Sequence, residues 1–274
     1  MFVKKIGQVR FELKADFDFS FLAEYGEPFV VFDQQDSGNL CFGVHGENGR
    51  FFLKLAGAET ARSNTSPDKA IERLRACIAV YRDLRHPLLM NLEEHREVPR
   101  GYLHVYRWFD GECMGKQYGS RERLLALPPA EKLAIYRDIL EFHRHVNERG
   151  YIALDFYDGC IMYDFETRET RLCDIECYRK KPVINDMGRM WGSTRFMSPE
   201  EFELGAEIDE RSNVYLMGAT AFNVFGGELD RSLGKWELSE RLHGVASKAV
   251  NREKDSRHQS IREYIHSWNE CCQL

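Results

Sequence analysis

Phe29-Val30-Val31-Phe32, Leu40-Cys41-Phe42-Gly43-Val44 and Arg50-Phe51-Phe52-Leu53-Lys54-Leu55 are three short apolar runs. Asp36-Ser37-Gly38-Asn39 separates the first two, and Gly46-Glu47-Asn48-Gly49 separates the last two. Short runs of this kind, bounded by Gly, Asn and Asp, read as strands joined by hairpins. They predict three antiparallel strands over residues 29–55. Upstream, residues 1–25 mix charges with Phe11, Phe17, Phe19 and Phe21 and read as an extension packed on that sheet. Downstream, Ser66-Pro67-Asp68 is a helix start, with Ser66 as N-cap and Pro67 at the first helical position. Ile71, Leu74, Ile78, Tyr81 and Leu84 then recur at helical spacing until His86-Pro87. Two further strands are expected around 88–98 and 102–108, divided by Pro99-Arg100-Gly101.

Beyond Gly111 the pattern becomes helical. Residues 129–149 form a long amphipathic stretch closed by Gly150, and 214–225 and 261–268 predict two more helices. Short strand-like pieces fall at 152–154, 161–163 and 171–173. Strands first and helices later predict an α+β protein. The segments divide as an extension over 1–25, a small sheet lobe over 26–110 and a larger helical lobe over 111–274.

The bulk numbers narrow the function. Hydrophobic residues make up 43% of the 274 and aromatics 12%, enough for a packed core rather than disorder. A net charge of −6 and the lack of a long basic stripe argue against a nucleic-acid partner. No apolar run approaches the ~20 residues that cross a bilayer, and Met1–Lys5 is not followed by a signal-peptide core, so no membrane association is expected. The eight cysteines are scattered without a CxxC pair, which disfavours zinc and predicts reduced thiols in a cytoplasmic setting. His143 and His145 read as surface or capping residues, and Trp108 and Trp191 as packing residues.

Four stretches occur in a telling order: Phe51-Phe52-Leu53-Lys54, Gly150-Tyr151-Ile152-Ala153-Leu154-Asp155, Leu172-Cys173-Asp174 and Gly192-Ser193-Thr194-Arg195-Phe196-Met197-Ser198-Pro199-Glu200. Together they resemble the protein kinase family, over roughly residues 29–268. The resemblance implies a bilobal fold, ATP and Mg²⁺ as cofactors, and transfer of the γ-phosphoryl group to a protein hydroxyl. Lys54 resembles the strand lysine that holds the α- and β-phosphates. Asp155 resembles the catalytic aspartate that takes or orients the substrate hydroxyl proton, and Asp174 the metal-binding aspartate 19 positions later. Gly38 and Asn39 stand in the phosphate-facing turn, and the backbone of Arg107 and Phe109 in the hinge that meets adenine. Residues 192–200 resemble the end of an activation segment, in which Glu200 pairs with a late arginine, here Arg257. Asn213 takes the place of an aspartate that braces the catalytic loop through a backbone hydrogen bond.

The chain departs from that pattern at several places. No GxGxxG lies between Phe32 and Lys54. Ala153 and Leu154 replace the usual His and Arg, Tyr157 replaces a lysine, and Cys160 replaces the second metal-binding Asn. A thiol suits hard Mg²⁺ poorly, so Asp158, two residues earlier, is the candidate substitute ligand. Asp174-Ile175-Glu176 stands for Asp-Phe-Gly. Cys77 occupies the position of the helix glutamate that pairs with the lysine. Three functions are therefore weighed: a Ser/Thr-type protein kinase first, a pseudokinase binding or scaffold module second, and a small-molecule kinase third. Arg179-Lys180-Lys181 would suit an acidic partner, or be a solvated charge run.

Overall fold

Strands dominate the first 110 residues and helices the remainder, making the chain α+β. The computed structural model describes residues 1–34 and 37–272; Asp36 of the expected 36–39 turn lies outside the described residues. Two units divide the chain, Met1–Asp110 and Gly111–Leu274.

The first unit opens with a hairpin of β1 (Phe2–Ile6) and β2 (Val9–Leu13). Its main sheet is built from β3 (Glu27–Phe32), β4 (Leu40–Gly46), β5 (Gly49–Ala56), β6 (Leu92–Val98) and β7 (Gly101–Arg107), in the order β3-β4-β5-β7-β6, every pair antiparallel. Side chains alternate across a strand. Leu40, Phe42, Val44, Leu53, Leu55, Leu103 and Val105 accordingly join one cluster with Val9, Phe11, Leu13, Phe17, Phe19 and Phe21. Phe11 meets Phe42 edge-on at 5.4 Å between ring centroids. The expected N-terminal extension is thus the second half of this unit's core, and each fully buried ring there contributes about 1.5–3 kcal/mol.

The opposite sheet face carries α1 (Pro67–Ala76), which packs on β5 and β7. Ser66 caps it by accepting from Lys69 N–H, and Pro67 follows at the first position. The helix does not run on to 85 as one piece. It breaks at Cys77, which ends α1 and precedes α2 (Ile78–Asp83). The buried Cys77 thiol donates to the Leu74 carbonyl at 3.1 Å.

The second unit begins with β8 (Glu112–Cys113), α3 (Ser120–Leu125) and α4 (Pro129–Glu148). Gly150 follows α4 at φ +76, a left-handed stop that glycine adopts without a Cβ clash. β9 (Tyr151–Ile152) leads to the Asp155 loop, then β10 (Ile161–Asp164) and β11 (Glu169–Leu172) form a small sheet with β8 in the order β11-β10-β8. β12 (Arg179–Lys180) pairs with β9, and β13 (Val183–Ile184) with β14 (Glu207–Ile208). α5 (Glu210–Phe225) is apolar on nearly all sides and is buried almost throughout, as such a helix must be. α6 (Glu240–Ala249) and α7 (Ile261–Cys272) pack on it. Among the described residues no helix is long and apolar enough to cross a membrane.

Candidate functional site

In the first unit, Lys54 lies opposite Cys41 on β4 and opposite His104 on β7, on the face that carries α1. His104 is fully buried; burial first, and then the Lys54 charge, push its pKa down to about 3. The imidazole beside Lys54 is therefore neutral. Cys77, in the helix glutamate's position, brings no carboxylate to this face. Gly38 has φ +83, but a Cβ there would meet Ser63 Oγ and Thr65 Cβ at 3.2 Å. The turn backbone is packed on residues 63–65. Asn39 is buried, and its Oδ1 has no partner among the described residues. Trp108 N–H donates to Arg50 O at 3.0 Å, so the neighbouring pair Phe51–Arg107 is of the wide, non-bonded kind and the Arg107 amide groups point away from β5. The Arg107 side chain is committed to Glu93, through two contacts of 3.0 Å, and to Asn48 O. Phe109 follows β7 in the segment that closes the unit.

In the second unit, Asp155 and Asp174 each hold φ +58. That backbone costs a non-glycine residue about 1–3 kcal/mol and collects at functional sites. Burial and then the Asp174 charge raise the Asp155 pKa to about 6, against a lowering hydrogen bond from the Cys177 thiol, whose Sγ sits 3.8 Å from Oδ2. The fold thus couples two carboxylates far apart in sequence. Cys160 is fully buried, and burial and then Asp174 hold its thiol well above the usual range, so it stays protonated. Tyr157 lies across Gly159: a Cβ there would come within 2.3 Å of the ring, so a side chain at 159 would force the Tyr157 ring to move.

Asp158 is embedded in opposite charge. Both its oxygens accept from Arg195 at 2.8 Å, and Arg121 Nε lies 3.4 Å from Oδ2. A cation placed there would face two guanidinium groups. Glu200 and Arg257, 57 positions apart, form a bidentate pair at 2.7 and 3.0 Å, with Ser212 Oγ donating to the same carboxylate at 2.6 Å. Burial would raise the Glu200 pKa, but Arg257 and Ser212 outweigh it and the net shift is downward. Asn213 is fully buried, yet neither Oδ1 nor Nδ2 finds a partner among the described residues. The backbone hydrogen bond expected of it is not made.

Three further residues depart from the sequence reading or were missed by it. His143 is fully buried, not a surface group: its Nδ1–H donates to Ile139 O at 2.8 Å and its Nε2 accepts from Tyr178 O–H at 3.0 Å. Burial holds it neutral, with a pKa of about 4. Its position one turn after Ile139 and one turn before Val146 on an apolar stripe was the available signal. Glu201 is buried and accepts from Ser198 N–H at 2.6 Å and Ser198 Oγ–H at 2.8 Å. The Ser198-x-x-Glu201 spacing is a capping-box signature that could have found it. Trp191, expected as a packing residue, is 48% exposed.

Among the described residues no group of three or more His, Cys, Asp or Glu side chains is arranged to hold a metal ion unaided. Mg²⁺ asks less, since one or two carboxylates suffice when phosphate oxygens and water complete the octahedron. Asp174 fits that requirement for one ion; the buried Cys160 thiol and the arginine-bound Asp158 do not fit a second.

No family model matches the chain. It is 25% identical over 109 residues to a probable serine/threonine-protein kinase, fnkB, of Dictyostelium discoideum, covering 39% of this chain and 20% of that protein. It is 23% identical over 158 residues to serine/threonine-protein kinase pkn2 of Myxococcus xanthus, covering 53% of this chain and 19% of that protein. The match thus spans about a fifth of the length of these curated relatives. Over part of its length, the chain is similar to Ser/Thr protein kinases.

Proposed function

We propose that this chain is a bilobal, ATP-dependent phosphotransferase of the protein-kinase type, moving the γ-phosphoryl of ATP to a protein hydroxyl. The observation that carries this reading is the Asp155–Asp174 pair: two carboxylates on strained backbone, coupled in charge, with the Asp155 pKa raised to about 6. Proton acceptors work best when their pKa lies near the working pH. Asp155 then orients the substrate hydroxyl and accepts its proton as the oxygen attacks. Asp174 would hold a Mg²⁺ carried by the nucleotide, which would supply charge neutralisation on the phosphates. Lys54 provides the ammonium for the α- and β-phosphates, and the neutral His104 beside it does not compete for them. The Glu200–Arg257 pair braces residues 192–200, the segment that would receive a peptide.

Asp155→Asn is expected to lower Mg²⁺-dependent transfer of labelled phosphate to a generic protein substrate by about 10²–10⁴-fold, the range of a positioned proton acceptor. Asp174→Asn should abolish the metal dependence. A second reading, a nucleotide- or partner-binding module without turnover, draws support from Cys160 and from the packed Gly38 turn. Wild-type transfer indistinguishable from Asp155→Asn, with ATP still raising the melting temperature, would favour the binding module.

A further inference from the structure

Four side chains beside the Asp155 loop close a ring of alternating charge. Arg195 holds Asp158 through two bonds of 2.8 Å. Asp158 Oδ2 lies 3.4 Å from Arg121 Nε, Arg121 Nη2 lies 3.2 Å from Glu228 Oε2, and Glu228 Oε1 lies 3.4 Å from Arg195 Nε. The side chains are at most 18% exposed. Lys116 meets Glu228 from outside at 2.8 Å, and Asn223 Oδ1 accepts from Arg121 at 2.9 Å. The members come from α3, the turn after Asp155, the 192–200 segment and the residues after α5. Each charge has two opposite neighbours, which is the arrangement in which buried ions are best compensated.

The ring grips the chain three residues beyond Asp155. Residues 155 and 228 both sit at positive φ, +58 and +63. Such backbone persists only where surrounding contacts over-determine it. The Asp155 carbonyl accepts only a weak thiol donor, Cys160, at 3.7 Å among the described residues, whereas the bidentate Arg195 fork on Asp158 is a strong, directional clamp.

We propose that the Arg121–Asp158–Arg195–Glu228 ring is a positioning device: it holds the Asp155 loop in its strained form, so that the loop is placed for proton acceptance by residues that never touch substrate. Asp158 therefore serves loop geometry rather than a metal. The catalytic part of this inference rests on the phosphotransfer reading.

Removing Arg195 alone would leave the buried Asp158 with only the longer 3.4 Å contact to Arg121, at a risk to folding. The informative variant is the double change Asp158→Leu with Arg195→Leu, because replacing a buried ion pair by apolar groups is often neutral for stability. Arg195→Lys, which keeps the charge and loses the fork, is the milder companion. Amide hydrogen exchange over 153–160 is read without substrate, and kcat and KM for ATP are read in the transfer assay. The expected result for the double variant is a preserved melting temperature with exchange over 153–160 at least about tenfold faster. With it, kcat should fall by about 10–100-fold at nearly constant KM, the scale of a misplaced catalytic group. Arg195→Lys should fall between. Unchanged exchange over 153–160, or faster exchange with unchanged kcat, overturns the proposal. A wild-type protein without Asp155-dependent transfer instead sinks the phosphotransfer reading and the catalytic half with it, while the exchange result still decides whether the ring holds the loop.

Discussion

The two units hold their critical segments by opposite means. In the first, rings and aliphatic chains from residues 9–22 cover one face of the sheet: Phe19 meets Phe11, Phe17 and Phe42, and Phe11 also meets Phe42. In the second, the Asp155 loop and the 192–200 segment are tied by guanidinium–carboxylate contacts: the four-membered ring and the Glu200–Arg257 pair. Apolar burial is non-directional and tolerates small shifts. A bidentate ion pair fixes both distance and angle, which is what a segment needs if it must present a particular oxygen.

Truncation in each region should break this contrast most sharply. Phe11→Ala empties part of a closed aromatic cluster and should cost about 3–5 kcal/mol, seen as a lower midpoint in urea unfolding. Arg257→Leu should cost a similar amount, about 3–5 kcal/mol, because it strands the Glu200 carboxylate in the interior. The pH dependence separates them. The Phe11→Ala loss should be nearly constant from pH 7 to 4, whereas the Arg257→Leu loss should shrink as acid neutralises the stranded Glu200. Parallel losses over that range would show that the second unit is also held chiefly by packing.

The same contrast explains what was legible in the sequence. The β3–β4–β5 run, the Ser66 cap, α4 with its Gly150 stop, α5 and α7 all follow from period, cap and turn chemistry, which are local. The ring was invisible because ion pairs have no period: Arg121, Asp158, Arg195 and Glu228 are 37, 37 and 33 positions apart, and nothing local distinguishes them from solvated charges. Residues 1–25 showed their phenylalanines but not that these complete a core. The break at Cys77 was equally hidden, since Ile71, Leu74, Ile78 and Tyr81 keep helical spacing across it. Asn213 was read by position alone, and position does not reveal whether a buried amide meets a donor.

Glu201 sharpens the comparison at a smaller scale. Burial raises its pKa from 4.5 to about 7, partly offset by the Ser198 backbone and hydroxyl donors, with the Glu200 and Asp155 charges adding to the rise. The folded form therefore binds a proton more tightly than the unfolded form between about pH 4.5 and 7. Stability from this group is present at the acid end and declines as pH rises through that window, by about 3 kcal/mol in all. Glu201→Gln should flatten the stability curve across it. A slope unchanged in the variant would assign the pH dependence to other carboxyls, Asp155 first.

The smallest expected effects compare two helix caps, one from each unit. Ser66 Oγ accepts from Lys69 N–H at a long 3.4 Å in an exposed setting, so Ser66→Ala should cost about 0.5–1 kcal/mol, the low side for an N-cap. Asp209 caps α5 differently. Its Oδ1 accepts from Arg211 N–H at 2.8 Å, and its carboxylate also meets the Arg211 and Lys254 side chains. Those contacts outweigh burial and lower its pKa. A charged cap at the positive end of a helix dipole, anchored by two cations, is worth more than a neutral one. Asp209→Ala should therefore cost about 2 kcal/mol, near the upper end for caps. Its cost should fall toward that of Ser66→Ala in 1 M salt, where charge is screened within about 3 Å. If salt leaves the two costs as far apart as before, the capping hydrogen bond rather than charge holds the start of α5, and the electrostatic character assigned to the second unit would not extend beyond the Asp155 loop and its bracing segment.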